Sequence, residues 1–449
     1  MLRKWFFLGD YLLYLFYDFN LRKILFFTII FFTITCYSQR IKLHEDFISN
    51  PNFQKIFTSA YATTINDSVQ ITFLYKVPIS ELIFIKTKDS FSASLQIMLE
   101  VVDSASLQFQ TYFRDHKISF EAFEKTIDPS EYLEGIINFR SKKSDLYLNS
   151  SFLDNNSNKN IFTRNEKIYP YSNDKNIFLM PIVLNEQMMT CDSIYFKSVV
   201  NYGGMIPFDN NYYDILIPLV DTTIEKLLVK VISRKDTVFS GIVQKSETAF
   251  LRFIECDNKI LLKEFLNSHN TNNFYLRKLT PKLKEGIAEI IVSDPDDSKR
   301  KNVYKLIVKW IKKPKSLLDS EKAIKLLQFI IKEDSVKKLL NLSRNFDSVL
   351  NNYWKPLDPT PETEFNELMA EYYQRVDFAD ENFSTITGTK GLESDRGRIY
   401  ILYGKPSSIR RVPNANKRIS EIWDYAKLKK QFVFVDERGT GDYKLKSTR

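Results

Sequence analysis

From Val69 onward apolar side chains alternate with polar ones: Val69, Ile71, Phe73, Tyr75, Val77, then Phe91, Ala93, Leu95, Ile97, Leu99, Val101, then Leu107, Phe109, Phe113. A repeat of two puts every second side chain on one face of a strand, so these runs predict half-buried β-strands. Interrupted by the polar turns KTKDS and VVDSAS, they predict a small antiparallel β-sandwich over 39–150. Residues 150–160, SSFLDNNSNKN, have almost nothing to bury and predict an interdomain linker over 151–165. A second set of apolar runs, including YYDILIPLV, EKLLVKVIS and VYKLIVKWI, predicts a second β-rich sandwich over 166–313.

Beyond Pro314 the spacing lengthens. Ala323, Leu327, Ile330 and Ile331 recur at helical intervals, with Asp319 or Ser320 placed to cap the start. SVKKLLNL at 335–342 continues the helical pattern. Thr360 as N-cap and Pro361 in the first turn open the longest expected helix, running to about Phe383. From Arg398 the repeat shortens again, and GRIYILYG, SEIWDYA and QFVFVDERGTGDYKL predict three or four short strands. The expected architecture is multidomain: two β-sandwich (Ig-like) domains, then an α+β C-terminal domain at 314–449 with helices first and a small antiparallel meander last.

The N-terminus predicts export. Arg22 and Lys23 precede the apolar stretch 24–35, ILFFTIIFFTIT, and Cys36 and Ser38 are small residues where a signal peptidase reads. A signal peptide over 1–38 is expected, with 1–20 a misassigned start; twelve apolar residues are few for an uncleaved anchor. The box ahead of Cys36 fits lipid modification badly. Export implies a periplasmic, outer-membrane-associated or cell-surface protein in an oxidising compartment. There Cys191 and Cys256 are a disulfide candidate, two free buried thiols being the alternative.

Composition narrows the function. The 449-residue chain has 44% hydrophobic residues and only 12 Gly, which excludes fibrous or low-complexity classes. Its +9 charge becomes +7 once the four Lys/Arg and two Asp of 1–38 are subtracted. No homeodomain, finger, RRM or KH signature accompanies it, so no nucleic-acid partner is expected. Much of the excess lies in 405–430, where Lys405, Arg410, Arg411, Lys417, Arg418, Lys427, Lys429 and Lys430 face only Glu421 and Asp424. That segment is a candidate contact for an anionic envelope surface, or else a solvated basic loop.

Standard catalytic constellations are missing. His44, His116 and His269 stand singly, without HExxH, paired cysteines, a phosphate loop or a G-x-S-x-G elbow, so no metal and no cofactor are expected. Ser335 to Lys338 spells S-x-x-K without its partner motifs and reads as a helix cap. Asp154, Asn156 and Asn158 open like a calcium loop, but the required Gly and Glu are absent, and a solvated loop is expected.

The C-terminal third carries a resemblance. YWKPLDPTPETEFNELMAEYYQRVDFADENF, GLESDRGRIYILYGKPSSI and EIWDYAKLKKQFVFVDERGTGDYKL, over about 350–446, resemble the C-terminal domain of the bacterial GWxTD-domain proteins. The naming motif stands here as Gly391, Leu392, Glu393, Ser394, Asp395, with Leu for Trp and Ser for Thr. A packing Trp tolerates Leu better than a ligand-stacking one, so the change points to a structural motif. The resemblance brings no established activity. In order, Gly404-Lys405-Pro406, Trp423-x-Tyr425 and Phe432-x-Phe434 are also similar to small outer-membrane assembly lipoproteins.

Two readings of 391–398 follow. In one, Ser394 or Asp395 satisfies a turn and an Arg clamps Glu367 or Glu371, docking helix to sheet. In the other, Glu367, Glu371 and Asp395 are catalytic carboxylates, or Arg396 and Arg398 bind an anion, with Arg410, Arg411, Trp423 and Tyr425 as further binding residues. The leading functional expectation is a non-enzymatic envelope binding or scaffold protein with a protein or glycan partner. The alternatives are a carboxylate-dependent hydrolase of envelope polysaccharide and a structural component of outer-membrane assembly or secretion machinery.

Overall fold

The computed structural model describes residues 56–448, apart from 66–67, 104–105, 129–130, 143–144, 169–177, 201–204, 267–270, 386–387 and 414–417. The expected signal peptide at 1–38, including the 1–20 segment, and Lys417 lie outside the described residues.

The first region is built from β1 (Phe57–Ile65), β2 (Ser68–Pro78), β3 (Ile85–Lys86), β4 (Phe91–Asp103), β5 (Phe109–Phe120), β6 (Tyr132–Lys142), β7 (Leu146–Asp154) and β8 (Lys159–Ile168). Strands β1-β2-β6 form one antiparallel sheet, and β3-β4-β7-β8, with β5 added on β4, form another. The alternating residues read from the sequence in β2 and β4 meet between them: Ile71 and Phe73 of β2 share a core with Leu95 and Ile97 of β4 and Leu148 of β7. Leu107, Phe109 and Phe113, expected on a buried face, are instead exposed, because β5 lies at the sheet edge and turns its other face inward.

The expected linker at 151–165 is instead the end of β7, a tight turn and most of β8, which pair antiparallel. The Asn-rich stretch is polar because it turns a hairpin. Asp154 corrects the solvated-loop expectation: it is fully buried and accepts from the backbone N–H of Ile83 at 2.9 Å and of Asn156 at 2.9 Å.

The second region holds β9 (Ile182–Cys191), β10 (Ile194–Val199), β11 (Met205–Pro207), β12 (Tyr213–Leu219), β13 (Lys226–Ser233), β14 (Asp236–Gln244), β15 (Glu247–Cys256), β16 (Lys259–Phe265), β17 (Thr271–Leu276), β18 (Gly286–Ser293) and β19 (Lys301–Lys309). Six of them close a barrel in the order β10-β16-β15-β17-β12-β9, and β11-β19-β18-β13-β14 form a five-stranded sheet. One barrel wall packs on that sheet, Ile215, Ile217 and Phe274 against Val229, Ile290 and Leu306. Cys191 and Cys256 are disulfide-bonded, joining the β9–β10 and β15–β16 hairpin tips across 65 residues of chain.

The two β regions share a core. Phe57, Leu74 and Ile136 of the first pack with Leu184, Leu216, Phe253 and Leu262 of the second. Carboxylates rim the joint: Glu255 takes both terminal nitrogens of Arg114, and Glu134 accepts from Lys259 at 3.0 Å and the Ile260 N–H at 3.1 Å.

Helices α1 (Ser320–Leu326), α2 (Glu333–Leu342), α3 (Phe346–Trp354), α4 (Glu367–Asn382) and α5 (Asp395–Tyr403) follow, then β20 (Ser408–Pro413), β21 (Ile419–Tyr425), β22 (Lys430–Asp436) and β23 (Tyr443–Thr448), paired in that order as one antiparallel sheet. Asp319 caps α1 as expected, accepting from the Lys322 N–H at 3.0 Å. Three expectations shift here. Ser335 lies inside the first turn of α2, whose N-cap position is Lys332. The long helix begins at the Asn366 cap rather than at Thr360, whose hydroxyl donates instead to Glu367 at 2.7 Å. Residues 398–404, expected as a strand, belong to α5 and its Gly404 cap.

The physical reason for the last is burial on two sides. Ile399 joins Trp423, Phe432 and Phe434 of the sheet, whereas Ile401 joins Tyr373, Val376 and Leu392 of the helical core. Two residues on, a helix has turned about 200°, so a helix sandwiched between two layers shows a strand-like alternation.

Candidate functional site

The GLESDRG stretch holds α5 between its neighbours. After α4 ends, 391–393 make a single tight turn. A Cβ on Gly391 would lie 2.1 Å from the Ala379 carbonyl oxygen, and one on Gly397 would lie 1.9 Å from that of Gly391. Neither position admits a side chain, because backbone meets backbone. Ser394 closes the turn, accepting from the Gly397 N–H at 3.0 Å and donating its hydroxyl to the Gly391 carbonyl at 2.7 Å. Leu392, where the resembling proteins carry Trp, is buried in the helical core.

Asp395 and Arg396 reach the sheet. Asp395 Oδ2 accepts from the Leu445 N–H at 2.8 Å, tying the start of α5 to β23. The Arg396 guanidinium lies 4.2 Å over the Tyr443 ring and 5.2 Å over Phe383, donates to the Gly441 carbonyl at 3.2 Å and meets Glu421 Oε1 at 3.5 Å. Glu421 is 2% exposed, and it also accepts from Arg411 Nε at 2.9 Å and Trp423 Nε1 at 2.8 Å. A buried carboxylate with three donors is compensated in place, and removing one partner of such a pair costs about 3–5 kcal/mol.

The far end of α5 is held in the same manner. Gly404 takes φ +74° against the Arg375 guanidinium, which donates to the carbonyls of Ile401 at 3.4 Å and Leu402 at 3.3 Å and pairs with Glu371. A cation there suits the negative helix end. The Tyr425 hydroxyl donates to the Gly404 carbonyl at 2.7 Å, and burial pushes its pKa well above the ordinary tyrosine range, so it stays a donor.

The sequence-predicted site residues therefore separate. Glu367 bonds Thr360, Glu371 pairs with Arg375 and Asp395 serves Leu445. The motif packs at Ala379, twelve residues and about 18 Å along α4 from Glu367. The expected clamp of Arg396 or Arg398 on Glu367 or Glu371 is replaced by Arg396 on Glu421 and Arg375 on Glu371. Arg398 is exposed on α5. Trp423 and Tyr425, expected as binding residues, are 0% and 4% exposed, because their strand face is the one covered by α5. Arg410 lies on the opposite sheet face, paired with Asp424 at 3.2 Å. Among the described residues no three His, Cys, Asp or Glu side chains converge as a metal site.

Sequence reasoning missed Glu421. The available signal was Glu421-x-Trp423 on one strand face, since a carboxylate beside a core Trp must be paired.

The other end of the sheet is different. The Ala426 N–H donates to Ser407 Oγ at 3.0 Å and Tyr425 pairs with Lys430, so Lys405, Lys427, Lys429 and Lys430 gather at one end. All four are exposed. Lys430 Nζ lies 4.7 Å over the Tyr403 ring, and Leu428, between Lys427 and Lys429, is 50% exposed.

Residues 293–448 match the family model of the GWxTD domain. No curated protein matches the chain. Two solved structures are similar: the C-terminal domain of the Streptococcus agalactiae AgI/II polypeptide BspA, 9% identical over 56% of this chain and 99% of that one at a TM-score of 0.15, and Escherichia coli alpha-2-macroglobulin activated by porcine elastase, 11% identical over 59% of this chain and 22% of that one at 0.13. Superpositions of that quality carry no argument.

Proposed function

Because this chain is a GWxTD domain-containing protein whose motif is committed to holding its own fold, we propose that it is an exported cell-envelope protein that binds or scaffolds and does no chemistry. The observation that carries this reading is the knot itself. Asp395, Arg396, Glu421 and Ser394 each make their bonds inside the protein. The two β regions then supply recognition surface for a protein or glycan of the envelope. The Cys191–Cys256 bond supports an oxidising compartment.

The test has two arms. Cell fractionation with N-terminal sequencing of the mature chain is expected to place it in the envelope, beginning at Gln39; a cytoplasmic chain with an intact N-terminus contradicts export. Purified protein incubated with envelope polysaccharide is expected to release no reducing ends. Release that disappears in Glu371→Gln would replace the scaffold with the hydrolase reading.

A further inference from the structure

We propose that the lysine-ringed end of the C-terminal sheet seats the protein on an anionic lipid surface. The hydrogen bonds between the 404–407 and 424–430 segments bring Lys405, Lys427, Lys429 and Lys430 together although 25 positions separate the first from the last. Among the described residues none of the four pairs with a carboxylate. Some exposed lysines elsewhere do: Lys125 with Glu131 and Lys325 with Glu321. Nearby acids are already engaged. Asp424 accepts from Gln431, whose amide, ahead of Ser408 and Arg410, holds its carboxyl below the ordinary range, and Glu371 holds Arg375. The four charges are thus uncompensated where they stand.

The apolar component selects among anionic partners. Leu428 stands half exposed between two lysines on the β21–β22 turn, and Leu402 is 46% exposed at the adjoining end of α5. An acidic glycan offers phosphate or carboxylate to the lysines but no apolar phase for a leucine. A bilayer offers both, with lysine ammoniums at the headgroup phosphates and the leucine at the acyl boundary. The envelope reading supplies only the setting for this surface. Vesicle binding tests the surface by itself, and fractionation tests the location by itself.

The experiment uses the chain from residue 39 onward, which keeps every described element, and vesicles of phosphatidylcholine with and without phosphatidylglycerol. Binding is expected only to the anionic vesicles and falls steeply as salt rises, a readout that needs no variant. Replacing Lys405, Lys427 and Lys429 together by Gln, with Lys430 kept for its contact to Tyr403, lowers partitioning roughly a hundredfold. Leu428→Ser lowers it about tenfold with the melt unchanged. Three outcomes overturn the proposal: no binding to anionic vesicles, equal binding by the triple variant, or binding to soluble polyphosphate as tight as to vesicles and indifferent to Leu428→Ser.

Discussion

The two ends of the C-terminal sheet, about 13 Å apart along β21, hold the same kinds of side chain and use them in opposite ways. At one end the buried Glu421 is bonded by Arg396, by Trp423 and by the exposed Arg411. At the other, four lysines ring an exposed leucine without a carboxylate among them. A count of basic residues cannot tell these apart. What separates them is the strand face: Glu421 and Trp423 lie under α5, whereas 427–429 lie on a turn that nothing in the described chain covers. Charge that is buried with partners holds a fold, and charge that is exposed without partners remains available.

The difference is best broken at the knot. Gly397→Ala puts a Cβ within 1.9 Å of a carbonyl oxygen that belongs to a packed turn, so the C-terminal domain is expected to lose more than about 4 kcal/mol. Urea denaturation of the chain from residue 39 followed by tryptophan fluorescence, which reports Trp310, Trp354 and Trp423, checks it. Glu421→Gln leaves Arg396 and Arg411 without their carboxylate and is expected to cost about 3–5 kcal/mol in the same transition.

The Cys191→Ser and Cys256→Ser double variant should cost about 2–4 kcal/mol, visible as a lowered melt of the β regions with the tryptophan transition of the C-terminal domain unmoved. Ser394→Ala removes the α5 cap and is expected to cost about 1 kcal/mol by urea midpoint. At the other end of the scale, Lys427→Ala should stay within about 0.5 kcal/mol of the parent; a larger loss would mean that the lysine end too is structural.

Much of this fold was legible in the sequence. The alternation in β4 reports a single buried face, and the structure buries that face between two sheets; β2 buries its alternating face in the same core and its other face, through Leu74, against the second region. The Asp319 cap and the C-terminal meander from Ser408 onward follow from local chemistry in the same way. The signals that misled share a cause: their environment lies elsewhere in the chain. Helix α5 reads as a strand because Ile399 and Ile401 are buried by different layers. The 151–165 hairpin reads as a linker because Asp154 and Asn156 find their partners at Ile83 and Ser92, about seventy positions away.

Of the candidate site, the motif was visible and its residue types correctly suggested docking. The partner was not: Arg396 meets Glu421 across 25 positions, and only the folded sheet brings β21 under α5. Gly391 carried no sequence sign of how tightly it packs.

The central claim is that GLESDRG is a structural knot closed by Arg396 and Glu421. The most direct test is a double-mutant cycle in urea with Arg396→Met, Glu421→Gln and the two combined. The account predicts that the pair costs much less than the sum of the single variants, with a coupling of at least about 1.5 kcal/mol. Single variants that leave the midpoint unchanged, or that add to within about 0.5 kcal/mol, would contradict it.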